Sequence, residues 1–332
     1  MGTTQGPVGG GAGGPRVGLV LGSGGLAGTA FHAGVITALH REWGWDARTA
    51  EVLVGTSAGS TSASLLRAGL PPADFLPRMT GEPLSAEGAR IMAGMPPALV
   101  APARASAGGS RWAPASPGLL ARAARRPWTV RPGAWVSALL PEGRVGTEDM
   151  RVGFAGVFED SWPDEALWIC AVRLDDGARV VFGRDDVPAT VGEAVASSCA
   201  IPGYFAPVVV DGHRYVDGGV HSFCNADVVS GLGLDAVVIS APMSTSDLVH
   251  ASRDHVWRSV ARAQLAAEVR RILRSGTPVL VLHPAASARA RMSGGTMDAG
   301  RRPDIARETV ETVTAELRAA HGPVRDLLSA AR

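Results

Sequence analysis

Lysine is absent from this chain of 332 residues, so all 32 of its basic side chains are arginines. They face 31 acidic side chains, which leaves a formal net charge of +1 at pH 7. A chain with so small a net charge has no general electrostatic attraction for nucleic acid or for acidic substrates. We therefore expect no nucleic-acid partner.

Cysteine is scarce as well, and its odd number and wide spacing provide neither a disulfide framework nor a zinc site: Cys170, Cys199 and Cys224. We therefore expect a cytoplasmic protein without a bound metal. The chain also lacks any apolar run of about eighteen residues, the length that a membrane-spanning helix requires. The Gly-rich stretch 1–15 has no apolar segment of the kind found in a secretory signal, and we interpret it as a flexible leader.

Strand and helix patterns alternate through most of the chain. The apolar runs "RVGLVL" (16–21) and "AEVLVG" (50–55) have the length of strands, and each leads through a glycine turn into a helical stretch. This alternation predicts an α/β fold with a mostly parallel central sheet and helices on its faces. Residues 81–135, rich in Pro, Gly, Ala and Arg, interrupt the pattern, and we interpret them as a cap or lid insertion.

The insertion carries a basic amphipathic stretch, "PGLLARAARRPW" (117–128). It is either a solvated surface segment or an element that contacts a membrane. Three tryptophans of the insertion could take part in such peripheral contact: Trp112, Trp128 and Trp135.

The stretch "GTSAG" places Ser57 between a strand pattern and a helix pattern. This is the context in which the G-x-S-x-G motif exposes a nucleophilic serine on a sharp turn. The residues around it would form the nucleophile elbow: Gly55, Thr56, Ala58 and Gly59. The alternative is an ordinary strand-to-helix turn in which Ser57 caps the helix.

The loop "GSGGLAG" (22–28) follows the first strand and allows two interpretations. A dinucleotide-binding loop would need an acidic residue at the end of the next strand, which instead ends in Gly55. In the other interpretation its backbone N–H groups form an oxyanion hole beside Ser57, with the donors on Gly24, Gly25 and Leu26.

No histidine follows a strand in the position that a Ser-His-Asp triad requires, although the chain has 8 of them. A carboxylate is the better candidate for the proton acceptor. In "RYVDGGVHSFCNAD" Asp217 ends a strand pattern, and Gly218 and Gly219 would let another backbone approach closely. The same Asp-Gly pair is also typical of a simple tight turn.

In chain order, "GSGGLAG", "GTSAGS" and "VDGG" resemble the motifs of the patatin-like phospholipase family, and "DGGVHSFCNAD" is similar to a bacterial branch of it. The resemblance covers about 16–325, which we take as one catalytic domain followed by a tail at 326–332. It implies a three-layer α/β/α sandwich and a Ser-Asp dyad that uses neither a histidine nor a cofactor. Ser57 would be the nucleophile and Asp217 the general base.

The Gly-rich loop departs from the family pattern at two positions. Ser23 stands where the family has the first of three glycines, and Ala27 stands where it has Arg or Lys. Because a cation there would favour anionic groups, its loss favours a neutral lipid, a thioester or a small acyl ester as substrate, unless an arginine of the insertion replaces it.

The resemblance implies a serine acyl hydrolase of the lipase, esterase or phospholipase A type that acts on lipid or other acyl esters through an acyl-enzyme. One alternative is an acyltransferase or thioesterase-like tailoring enzyme with the same dyad. Another is a catalytically impaired protein that binds a lipid or a partner. For the hydrolase we expect a cytoplasmic enzyme that contacts the membrane peripherally.

Overall fold

Among the residues that the structure describes, a sheet of eight strands forms the centre of the molecule. The computed structural model describes residues 14–95, 113–125, 128, 130–159, 161–245, 255–293 and 295–330. The strands are β1 (Val17–Leu21), β2 (Val52–Thr56), β3 (Ala166–Arg173), β4 (Arg179–Phe182), β5 (Val208–Val210), β6 (His213–Asp217), β7 (Ala236–Ser240) and β8 (Val279–Leu282). Their order is β5-β6-β3-β2-β1-β7-β8, with β4 also paired to β3.

The neighbouring strands β3, β2, β1, β7 and β8 are parallel to one another. The strands β4, β5 and β6 form antiparallel pairs. The helices are α1 (Gly25–Trp43), α2 (Ala58–Arg67), α3 (Phe75–Thr80), α4 (Ala86–Ala93), α5 (Pro117–Arg125), α6 (Pro132–Leu139), α7 (Glu148–Phe158), α8 (Val191–Ser198), α9 (His255–Arg274), α10 (Ala286–Met292), α11 (Arg302–Ala319) and α12 (Pro323–Ala330).

Alternate residues of the central strands pack into two separate apolar cores, one on each face of the sheet. Leu19 and Leu53 pack under α1, α2, α8 and α11 on one face of the sheet. Val20 and Val54 point to the opposite face, where α9 and the segment 224–234 cover them. Because both faces are buried, the strands are almost continuously apolar. The predicted three-layer α/β/α sandwich with a mostly parallel sheet is confirmed.

The insertion at 81–135 is largely helical where it is described. Helices α5 and α6 bury Leu119 and Ala123 in a third, smaller apolar cluster against Val172 and Val216 of the antiparallel end of the sheet. Trp135 is half-buried against the same cluster, and Trp128 is 81% exposed. The third tryptophan, Trp112, and residues 1–13 of the predicted leader lie outside the described residues.

Residues 326–330 of the predicted tail at 326–332 belong to helix α12. Val324 and Leu328 lie one helical turn apart, and both are buried against the main core. This spacing places the two apolar side chains on one helix face, which holds the end of the described chain on the domain. Across the described ranges, we find no helix with the length and apolarity needed to cross a membrane.

Candidate active site

Ser57 occupies a sharp turn between β2 and α2. Its backbone has φ 53° and ψ −119°, a conformation that costs energy for any residue with a side chain. The Ser57 N–H group donates to Ser198 Oγ at 2.9 Å, and Ser198 Oγ donates in turn to the Cys170 carbonyl at 2.7 Å. These two hydrogen bonds hold the turn in place. The predicted elbow therefore has the strained geometry that its motif indicates.

Gly55 and Gly59 are packed so closely against neighbouring backbone that neither position has room for a side chain. A methyl group on Gly55 would overlap the backbone of Ser60, and one on Gly59 would overlap the Leu21 carbonyl of β1. Thr56 ends β2, and Ala58 begins α2. The elbow thus fits tightly against the neighbouring strand.

Strand register brings Asp217 close to Ser57. Thr56 pairs with Cys170 on β3, so Ser57 follows at the level of Ala171. Ala171 pairs on its other side with Asp217, the last residue of β6. The two predicted catalytic side chains therefore lie in one row of the sheet, although 160 positions separate them in the chain.

The Asp217 carboxylate is only 5% exposed. It accepts a hydrogen bond from the Gly219 N–H at 2.7 Å, and the Ser57 side chain is near enough to help stabilise its charged form. Burial raises its pKa from 3.8 to about 6, because the loss of hydration outweighs the stabilisation that Ser57 and the Gly219 N–H give to the charged form. A carboxylate with this pKa is ionised at neutral pH and can still accept a proton from a serine hydroxyl.

Asn225 connects the two catalytic segments. Its side-chain amide donates to Thr56 Oγ1 and to the Gly218 carbonyl, both at 3.2 Å, and to the Ser222 carbonyl at 2.7 Å. Its Oδ1 accepts from Arg179, which also forms a partly buried ion pair with Asp227. The "NAD" segment, which sequence reasoning used only for the resemblance, therefore positions the residues beside Ser57 and Asp217.

Helix α1 begins at Gly25, directly after the predicted oxyanion loop. In the described part of the chain, the N–H groups of Gly24, Gly25 and Leu26 donate to no acceptor. Gly25 has φ +59°, and a side chain there would contact the Thr296 carbonyl. Of the three, Gly25 and Leu26 line the same cavity as Ser57, and Gly24 lies just behind them at the N-cap.

His32 holds this loop from behind, a role that its sequence context did not indicate. The imidazole is completely buried, with Nε2 at 2.7 Å from the Gly22 carbonyl and Nδ1 at 2.8 Å from Ser240 Oγ. Burial lowers the pKa of His32 to about 4, so the ring is neutral at physiological pH. The contacts fix its tautomer, because Nε2 must donate to the carbonyl and Nδ1 must accept from the hydroxyl.

Ser57 opens into a cavity of about 400 Å³. Its described walls are mainly apolar and come from α7, the turn at 201–205 and the segment before α11: Met150, Phe154, Ile201, Tyr204, Phe205 and Met297. None of the described residues of 81–135 is among them. The cavity has the size and the mostly apolar lining of a site for a small or medium-sized ligand.

The family model for patatin-like phospholipases matches residues 19–230. This range contains the Gly-rich loop, the Ser57 elbow and Asp217 in the family's order. The chain belongs to the patatin-like phospholipase family. Patatin-like domains are lipid acyl hydrolases, and a lipid substrate and a role in lipid metabolism follow from that membership.

Two features of this chain differ from the shared patatin-like pattern or lie beyond it. Ala27, at the position of the family's cation, is fully buried, and its N–H donates to the Thr296 carbonyl at 3.0 Å. A charged side chain at that position would therefore enter the core. Part of the cavity wall, including Met297 and Arg302, comes from beyond residue 230, the end of the family match.

Proposed function

We propose that the protein hydrolyses lipid or other acyl esters with a Ser57–Asp217 dyad and an acyl-enzyme intermediate. The observation that carries this proposal is the buried Asp217 carboxylate, which lies in the same row of the sheet as Ser57 and interacts with its side chain at a strained strand-to-helix turn. Nucleophile and base within hydrogen-bond reach are the arrangement that activates a serine.

In the first step, Ser57 Oγ attacks the ester carbonyl carbon while Asp217 accepts the hydroxyl proton. The N–H groups of Gly25 and Leu26 donate to the oxygen that becomes negative in the tetrahedral intermediate. When this intermediate collapses, the alcohol leaves with the proton from Asp217, and the acyl group stays on Ser57. Asp217 then accepts a proton from water as the water attacks the acyl-enzyme, and returns it to Ser57.

The apolar cavity walls are suited to the acyl chain of the substrate. Peripheral membrane contact through the insertion belongs to the same proposal, since Trp128 on its surface is 81% exposed and Val136 and Leu139, directly after the insertion on α6, are also exposed. An apolar surface of this kind can enter the interfacial region of a bilayer and bring the cavity close to lipid.

The proposal is tested by identifying products from a panel of acyl esters and acyl thioesters by mass spectrometry. We expect the wild type to release free acid from at least one ester and Ser57→Ala to release none. Ser64→Ala is the matched control, because this buried hydroxyl lies on α2, the helix that follows Ser57, and has no hydrogen-bond partner within the described ranges.

Each outcome of this assay assigns the reaction. Free acid from wild type and Ser64→Ala alone supports hydrolysis. Transfer of the acyl group to an added alcohol in preference to water would assign an acyltransferase. Ligand binding without any turnover would assign a binding protein.

A further inference from the structure

Two arginines from different helices line the same cavity as Ser57. Arg78 lies near the end of α3, and Arg302 is the first residue of α11. The two helices pack against each other and against α1. The cavity therefore has a cationic end in addition to its apolar walls, and neither arginine belongs to a catalytic motif.

Within the described ranges, the Arg78 guanidinium makes no ion pair and no hydrogen bond, so no described group there neutralises its charge. Arg302 donates from Nε to the neighbouring Ala299 carbonyl at 3.3 Å. Burial, and secondly repulsion from Arg302, lower the pKa of Arg78 to about 10, so it remains protonated at neutral pH.

One carboxylate, Asp149, occurs among the described residues that line the cavity. It is exposed on α7 and is not among the groups that shift the pKa of Arg78. Two like charges in a largely apolar cavity repel each other, and an anion placed between them would remove this repulsion. The N-terminus of the 18-residue helix α11 adds a partial positive charge beside Arg302.

We propose that Arg78 and Arg302 bind a phosphate group carried by the acyl ester that Ser57 attacks. Two guanidinium forks present more N–H donors than one carboxylate can accept, and a phosphate has the additional oxygens and charge to match them. The subsite rests on the proposed esterase function, because it orients the substrate whose acyl chain lies along the apolar walls. It identifies the substrate class as phosphate-bearing acyl esters and thioesters.

Such a phosphate can belong to a glycerol phosphate next to the ester or to the phosphopantetheine arm of an acyl thioester. Binding to Ser57→Ala separates these sources without any need for turnover. Calorimetric titration would use octanoyl lysophosphatidate, octanoyl coenzyme A and monooctanoylglycerol, whose short chains keep them monomeric. We expect the preferred phosphate ligand to bind about ten- to hundred-fold more tightly than the neutral glycerol ester, the effect of one or two charged hydrogen bonds.

Adding Arg78→Gln or Arg302→Gln should remove most of this preference and leave the affinity for monooctanoylglycerol unchanged. Arg307→Gln is the matched control, because it removes an exposed charge from the same helix. Thermal melting would check that each variant is folded. If Arg78→Gln does not fold, Arg302→Gln carries the test.

Equal affinity for the neutral and both phosphate ligands would overturn the proposal, as would a preference that survives in both arginine variants. Binding that depends on the arginines, combined with a wild type that releases no octanoate, would support the subsite and reject the proposed esterase function. The failures of the two proposals are therefore distinguishable.

Discussion

The reactive end of the cavity and its walls are built in different ways. At the reactive end, Ser57, Asp217 and the Gly-rich loop are fixed by short hydrogen bonds and by backbones in direct contact. The walls consist of apolar side chains and two arginines from α3, α7 and α11. The first region can be altered only by breaking the fold locally, whereas the second can change its side chains independently.

This difference separates chemistry from substrate choice. The residues proposed for the chemistry lie within the family match at 19–230, and part of the wall comes from beyond it. A chain of this construction can keep one reaction and change its substrate through helices packed around the site. The predictions below compare the two regions, beginning with the largest effect.

Gly59→Ala should disrupt the reactive end completely. Its methyl group would overlap the Leu21 carbonyl, a backbone atom of the central strand that cannot move aside. We expect a loss of more than about 4 kcal/mol in the free energy of unfolding, together with loss of esterase activity. Chemical denaturation measures the first and ester hydrolysis the second.

Gly118→Ala provides the matched comparison on α5, where a new methyl group meets no atom within 4 Å. It should stabilise the protein by up to about 1 kcal/mol, because alanine favours the helix. Equal effects of the two substitutions would contradict the contrast between a tight reactive end and a tolerant periphery.

Asp217→Asn should abolish activity and stabilise the fold. The folded-state pKa of about 6 lies above the ordinary value of 3.8, so the folded protein binds this proton more tightly and loses stability as pH rises from 3.8 through 6. An amide of the same shape carries no charge to bury. The expected gain of Asp217→Asn over the wild type in the free energy of unfolding is about 3 kcal/mol above pH 6 and vanishes near pH 4.

Urea denaturation at about pH 8 and at about pH 4 measures this difference. A variant that is less stable than the wild type at the higher pH would show that hydrogen bonds compensate for the buried charge.

The elbow could be predicted from sequence because its determinants are local: Gly55, Ser57 and Gly59 lie within five residues of one another. The proximity of Asp217 depends on strand pairing through β3 and was predicted only by resemblance. The proximity of Arg78 and Arg302 could not be predicted, because their helices are distant in sequence and meet only in the folded packing of α3, α11 and α1. Helix α7 was missed because its segment, "EDMRVGFAGVF", contains two glycines and little helical periodicity.

His32→Ala should have a smaller effect that acts through the oxyanion loop. It leaves the Gly22 carbonyl without its hydrogen bond and loosens the start of the loop. We expect kcat to fall about ten- to hundred-fold with little change in KM, because the loop acts mainly on the transition state. His213→Ala, which removes an exposed histidine, should leave both parameters unchanged. A change in KM alone would contradict a positioning role for His32.

The smallest effect is expected at the surface of the insertion. Trp128→Ser should reduce hydrolysis of a vesicle-bound ester about two- to fivefold and leave hydrolysis of a monomeric octanoyl ester unchanged. Trp257→Ser removes an exposed tryptophan from α9 and serves as the control. Equal losses in the two variants would show that the insertion has no special contact with the membrane.

The central claim is that Asp217, and no histidine, activates Ser57. Its most direct test is the rate at which a fluorophosphonate labels Ser57 as a function of pH. His32 stays neutral above its pKa of about 4 and cannot produce a transition near pH 6. Burial raises the pKa of Glu268 to about 7, so this residue could also produce a transition in that range. The variant Glu268→Gln controls for this contribution.

We predict that labelling of the wild type rises about tenfold per pH unit up to the Asp217 pKa of about 6 and is constant above it. Glu268→Gln should keep this profile, and Asp217→Asn should label at least about a thousandfold more slowly, with no transition near pH 6. Labelling of Asp217→Asn at the wild-type rate, or with the wild-type transition, would contradict the dyad.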